Sequence, residues 1–259
     1  MNAPAIKITK PVREQVSGQE WEARVNLAAC YRLMHEYGMV EMVANHISAR
    51  VPGTENEFLI NPYGMLYEEM NASSMIRIDL EGNVLFNATE YGVNQAGYVI
   101  HSAIHGARHD VDCVIHTHTL AGMAVSAMKC GLMPIAQTSM RWAKGVSYHD
   151  FEGIAIRTEE RERLVEDLGT NDAMILRNHG LLTCGPTVPE CFNNMFRLER
   201  ACQLQVMTLS CNTELQLPPQ EVIDQCWHLF QPGVRRRLGL LEWPSLLRKL
   251  DRVDPSYRD

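Results

Sequence analysis

The chain predicts an α/β fold whose sheet is mixed or antiparallel, and three observations carry that expectation. Short alternating or apolar runs are interleaved with longer stretches of helical spacing along the whole sequence. Two of the short runs, 76–80 and 84–86, are separated only by the turn-forming Glu81-Gly82-Asn83, which reads as a hairpin. Helix-like and strand-like stretches do not segregate into halves, which suits one sheet flanked by helices. A length of 259 residues could hold two small domains, but α/β folds of this size are often single.

The elements follow in order. Residues up to about 18 read as a loose arm with Pro4, Pro11 and basic residues but no apolar centre, so not a signal peptide. Residues 20–38 place Trp21, Val25, Ala28, Leu33 and Tyr37 near helical spacing, and Gly38 can stop that helix. Residues 45–51 alternate like a strand. Residues 58–60 are a short apolar strand ended by the turn Asn61-Pro62-Tyr63-Gly64. After the 76–86 hairpin come a helix at 96–108, a strand at 113–118 and a small-residue helix at 121–128. A short strand is expected at 153–156, an acidic-basic helix at 159–168, strands at 173–176 and 181–184, and a long helix at 188–209. Pro218, Pro219, Pro232 and Pro244 punctuate a helical C-terminal extension. Within it, Pro244 suits a first helical turn, and Trp243, Leu246, Leu247 and Leu250 make one apolar side. That side should cover the domain's own core or a neighbouring subunit. The expected organisation is an arm at 1–19, a main domain at 20–210 and the extension at 211–259.

Composition narrows the function. The hydrophobic fraction of 46% and charged fraction of 21% are those of a globular protein. A net charge of −7 argues against a nucleic-acid surface. No run approaches the ~20 apolar residues of a membrane span. Eight scattered cysteines with no Cys-x-x-Cys pair read as buried, reduced thiols of a cytoplasmic protein. No phosphate-loop pattern and no Gly-x-Ser-x-Gly are present.

The chemistry is carried by histidine. In Val114-Ile115-His116-Thr117-His118-Thr119 two histidines stand two apart after a short apolar run. On a strand such positions share a face, roughly 6.5–7 Å apart, so both imidazoles can converge on one cation. His179 follows the apolar run 173–176 and precedes Gly180. Three imidazoles suit a divalent transition metal, zinc first and iron or manganese next, and leave positions open for a substrate. His101, His105 and His109 recur at helical spacing without an acidic partner and read as a solvated or packed helix face. His35, His46 and His228 read as structural or exposed. Tyr148 and His149, in the cluster Tyr148-His149-Asp150, are candidates for proton transfer.

The motifs IHTHT, RNHG and NHISAR together make the stretch from Trp21 to Val206 resemble the class II aldolase/adducin family. The resemblance implies a three-layer α/β/α sandwich around a mainly antiparallel sheet. It implies that His116, His118 and His179 hold the metal, and that the protein is a homo-oligomer, commonly a tetramer with sites between subunits. Departures from the family pattern accompany it. The family's metal-binding, proton-moving glutamate falls at Gly97, and two phosphate-holding serines fall at Gln95 and Ala96. An early Gly-Asn reads Asn45-His46, and a Thr-Gly phosphate loop reads Asn61-Pro62-Tyr63-Gly64. Asn45 and Asn61 are the substrate-binding candidates at those positions. A sugar phosphate is therefore not the default substrate, and INPYG, NQAGYVIHSAIH and YHDFEG resemble the adducin-like bacterial branch. The expected activity is that of a metal-dependent lyase acting on a small hydroxy-carbonyl compound. An iron-dependent oxygenase or decarboxylase of an organic acid, and a non-catalytic adducin-like binding module, are the alternatives.

Overall fold

The computed structural model describes residues 10–153 and 160–259. The strand expected at 153–156 lies, beyond its first residue, outside them. In chain order the elements are α1 (Gly18–Glu36), β1 (His46–Arg50), β2 (Glu57–Ile60), β3 (Ile76–Asp79), β4 (Val84–Phe86), α2 (Gln95–Ala107), β5 (Cys113–Thr117), α3 (Leu120–Ser126), α4 (Gln137–Met140), β6 (Ser147–His149), α5 (Glu160–Leu168), β7 (Ala173–Leu176), β8 (Gly180–Gly185), α6 (Val188–Ser210), α7 (Gln220–Leu229) and α8 (Trp243–Val253). The strands form one sheet in the order β4-β3-β2-β1-β5-β8-β7-β6. Every pairing is antiparallel except β6 on β7.

Alternation along the strands sends side chains into two separate cores. Ile47, Leu59, Cys113, Ile115, Ala173, Ile175 and Leu181 join the larger core with α1 and α6. Val114, Met174, Leu176, Leu182 and Cys184 face the other way, with Ile100 and Ile104 of α2 and Leu164 and Leu168 of α5. Phe58, Ile60, Ile76 and Ile78 extend that second face toward the sheet's other edge. The result is helices on both sides of the sheet, the expected three layers. Each fully buried aliphatic side chain in these layers contributes roughly 1.5–3 kcal/mol.

Local chemistry fixes the helix starts. Ser17 Oγ accepts the Glu20 N–H at 3.0 Å to open α1, and Thr187 accepts the Glu190 N–H at 3.3 Å to open α6. In the C-terminal segment, Trp243 and Leu250 of α8 are buried in the larger core, and Trp243 Nε1 donates to Asn26 Oδ1 at 2.8 Å. Within the expected arm, Val12 is buried in a short 3-10 turn. Two elements were not expected, the four-residue α4 and the three-residue β6, which is too short for any periodicity to show.

Candidate metal centre

β5 delivers the first two histidines. His116 is the fourth residue of this buried strand, and His118 follows its last residue. Thr117 between them points to the other face, where its hydroxyl meets Met195 Sδ at 3.5 Å. Thr119 then caps α3, accepting the Gly122 N–H at 3.3 Å and donating to Glu199, so the chain turns sharply just after His118.

His179 arrives on the three-residue loop between β7 and β8. Asn178 has φ 55°, a left-handed conformation that asparagine tolerates. Gly180 lies so close to β5 that a Cβ there would stand 2.2 Å from the Thr117 carbonyl oxygen. Asn178-His179-Gly180 is thus one device: the first residue makes the turn, the last admits the neighbouring backbone, and the histidine between them is carried to His118.

The three rings converge. His118 Nε2 lies 2.9 Å from His116 Nε2 and 2.9 Å from His179 Nε2, and the three ligating nitrogens all fall within 4.8 Å of one another. The opposite nitrogens explain how the rings are aimed. His116 Nδ1 donates to the Leu181 carbonyl at 2.9 Å, and His118 Nδ1 is 2.7 Å from Glu41 Oε2. A carbonyl and a carboxylate only accept, so both Nδ1 atoms carry the proton. In the neutral tautomers the two Nε2 lone pairs then face each other at 2.9 Å, which is repulsive unless a cation lies between them. Burial holds the His116 imidazole well below its ordinary range and lowers His179 to about 4, so these two rings disfavour a proton. The donor set therefore fits a transition metal, with an accepting group behind each of two rings in the manner of metal-bound histidines.

A fourth histidine stands beside these, one the sequence reading treated as structural. His46 on β1 is the cross-strand partner of His116, with ring centroids 5.1 Å apart. His46 Nδ1 meets His101 Nε2 at 2.8 Å, His101 Nδ1 meets Ser48 Oγ, and Ser48 Oγ meets His105 Nε2 at 2.7 Å. All four residues are buried, and His105 stacks on Phe58 at 4.9 Å. Burial holds His46 and His101 well below the ordinary imidazole range and takes His105 to about 3. Of the helical histidine series, His101 and His105 are thus packed against the sheet, while His109 is exposed beyond the end of α2. Only the β1–β5 register reveals the link to the triad. A lone His46 in the sequence carries no signal for it.

Of the remaining candidates, His149 lines a small pocket together with His179. The Tyr148 hydroxyl accepts the Leu132 N–H at 2.9 Å, and its ring lies under the Arg177 guanidinium at 4.2 Å. His149 is clamped between Asp167 at 2.7 Å and Glu160 at 3.3 Å, so both its nitrogens are engaged in joining β6 to α5. Asn61 Oδ1 is 2.9 Å from the Tyr31 hydroxyl, which accepts the Ile47 N–H. Asn45 is buried, and neither its oxygen nor its nitrogen has a hydrogen-bond partner among the described residues. Such an amide costs about 1–3 kcal/mol unless something satisfies it.

This fold and this histidine group place the chain in a known class. Residues 25–206 match the Class II Aldolase and Adducin N-terminal domain family, and the chain belongs to it. A class 2 aldolase-family protein of Pseudomonas aeruginosa is 48% identical over 250 residues, 95% of this chain and 96% of its own. Alpha-adducin of Rattus norvegicus is 45% identical over 189 residues, 72% of this chain but only 26% of the adducin. Among solved structures, an aldolase II superfamily protein from Pseudomonas syringae superposes with a TM-score of 0.91 at 47% identity, over 96% of this chain and 100% of the other. L-fuculose 1-phosphate aldolase from Glaciozyma antarctica PI12 superposes at 0.82 with 25% identity, over 98% and 96%. No helix among the described residues is long and apolar enough to cross a membrane.

Proposed function

We propose that the chain is a metal-dependent lyase that makes or breaks a carbon–carbon bond in a small, non-phosphorylated hydroxy-carbonyl compound. His116, His118 and His179 hold a divalent transition metal, zinc in the first instance. The observation that supports this most is the pair of Nε2 atoms 2.9 Å apart whose Nδ1 partners are both acceptors. A divalent cation held there would supply Lewis-acid polarisation of a carbonyl. The chain's own residues do the rest. Leu181 and Glu41 fix the tautomers of two ligands, and the Asn178 turn sets the third. With no side chain at position 97, His46 is the group that borders the site on that flank. Asn45, buried and with no hydrogen-bond partner among the described residues, is the favoured substrate-binding candidate. We take the active form to be a homo-oligomer.

The test is aldol cleavage of a panel of hydroxy-carbonyl compounds before and after complete demetallation. Turnover unaffected by metal removal would defeat the proposal. Bound ferrous iron with oxygen consumption would favour an oxygenase or decarboxylase instead. The binding-module reading has its own support in the alpha-adducin identity and in Gly97. It would gain if His116→Ala lost the metal, kept its partners and no substrate emerged.

A further inference from the structure

We propose a second ligand site, at the far end of the sheet from the histidine triad, that binds a phosphate-bearing small molecule through Arg141, Arg197 and Arg235. The triad lies where Thr117 pairs with Leu181. The other end of the same strand pair, where Cys113 meets Gly185, opens onto a cavity of about 470 Å³. Its lining includes Asn171, Asp172 and Pro186 at the strand ends, Arg141, and Trp227 and Phe230 from the C-terminal extension. A second cavity of about 240 Å³ shares Arg141, Phe230 and Arg235 with the first and adds Arg197. Strands of this length put roughly 13–17 Å between the two ends, so this is a separate place.

The charge there is unbalanced in a specific way. Arg235, Arg236 and Arg237 are consecutive. Arg236 pairs with Glu242 and Arg237 with Glu190, 2.7 Å from Nε to Oε1. That leaves Arg235, whose guanidinium lies 5.0 Å over the Phe230 ring. Arg141 also lies over this ring, at 5.9 Å, and is held by neutral partners, the amide oxygens of Asn193 (3.1 Å) and Asn194. Among the described residues, Arg141, Arg197 and Arg235 have no carboxylate within salt-bridge distance, and Asp172 on the cavity wall sits 3.7 Å from Arg108 instead. Burial first, and then the charge of Arg197, bring Arg141 down to about 10; Asp172 and Glu242 oppose the shift and Arg235 adds to it, so the nearby carboxylates do not offset burial and the neighbouring cations.

Three guanidiniums from three segments line the smaller cavity together, a number that suits the three terminal oxygens of a phosphate better than one planar carboxylate. The faces of Trp227 and Phe230 offer apolar surface for the organic part, and the volume falls within the ~300–1,000 Å³ of small-molecule sites. A phosphate ester carrying a ring is the class that fits.

The experiment is calorimetric titration of the full, EDTA-treated chain with inorganic phosphate, adenosine monophosphate and adenosine. The expected result is binding of phosphate, tighter binding of the monophosphate and none of adenosine. Arg235→Gln, which gives up a guanidinium stacked on the Phe230 ring, and Arg197→Gln on exposed α6 surface should each weaken binding by about tenfold or more. His116→Ala should leave it unchanged. Absence of binding by both phosphate probes would overturn the proposal. So would binding that survives Arg235→Gln but is lost in His116→Ala, which would place the anion at the triad. If Arg235→Gln instead shrank the particle in light scattering and no phosphate bound, the arginines would be a subunit contact and the proposal would fall.

Discussion

The ring of His46 fills the space that a side chain at Gly97 would need: a Cβ at Gly97 would lie 2.6 Å from His46 Cδ2 and 3.0 Å from its Nε2. The two residues come from β1 and α2 and sit against the face of β5 that carries His116. The bare backbone at position 97 and the histidine at position 46 are therefore one packing unit, in which an imidazole from the sheet occupies the space a helix side chain would take. His46 is not free to yield, because its Nδ1 is tied to His101. Gly97→Ala should cost about 1–3 kcal/mol by overpacking. His46→Ala in the same chain should recover most of that loss, a coupling of the size seen between residues in contact. Urea unfolding of the two single variants and the double variant measures it, and additive losses would show that the ring moves aside.

Glu41 should act on metal binding without touching the metal. It is exposed, on a loop before β1, and its contact with the site is the 2.7 Å bond to His118 Nδ1. Glu41→Gln keeps the length but removes the charge, and an amide can present its nitrogen to the ring. Metal affinity should fall by about 10–100-fold, the usual cost of losing the group behind a histidine ligand. Competition with a chromophoric chelator checks this, alongside His116→Ala, which should bind no metal at stoichiometric concentrations.

These two cases also show what a sequence can and cannot disclose. His116 and His118 were legible because strand periodicity alone puts positions two apart on one face. His179 was legible as a candidate from its place between an apolar run and a glycine, and the turn geometry explains why that place matters. His46 was not, since its position opposite His116 depends on which strands become neighbours, and nothing local encodes that pairing. Tyr148 and His149 stand out in the sequence as a polar cluster, but β6, which carries them, is only three residues long and left no periodic trace. Glu41 was silent for a similar reason: its partner is 77 residues away.

The buried histidine column should make the protein acid-sensitive well above the carboxylate range. His105 has its folded value depressed from 6.5 to about 3, chiefly by burial. Between those values the unfolded chain holds a proton that the folded chain does not, so stability rises with pH across this window and is lost as pH falls through it. Above about 6.5 the group contributes no slope. At full effect each such group contributes about 1.4 kcal/mol per pH unit, and His101 acts in the same direction. Urea midpoints of the EDTA-treated protein should drop steeply from pH 6 toward pH 4. His105→Gln should remove about one proton from that slope whatever it does to stability at neutral pH. An unchanged slope would mean that His105 protonates in the folded state.

Gly180→Ala tests whether the close approach of β8 to β5 is what delivers His179. The added methyl would stand 2.2 Å from the Thr117 carbonyl oxygen, a backbone atom held in the β5–β8 ladder. The strain cannot be relieved by a rotamer, so the loop carrying His179 must lift away from His118. Stability should fall by about 1–3 kcal/mol, and metal affinity should fall with it although no ligand has changed. Gly18→Ala, at the start of α1 with nothing within 4 Å of the new methyl, is the matched control and should be neutral on both counts. If Gly180→Ala lost stability but held the metal as tightly as the parent, His179 would be positioned by its own loop, through Asn178, and not by the contact between the two strands.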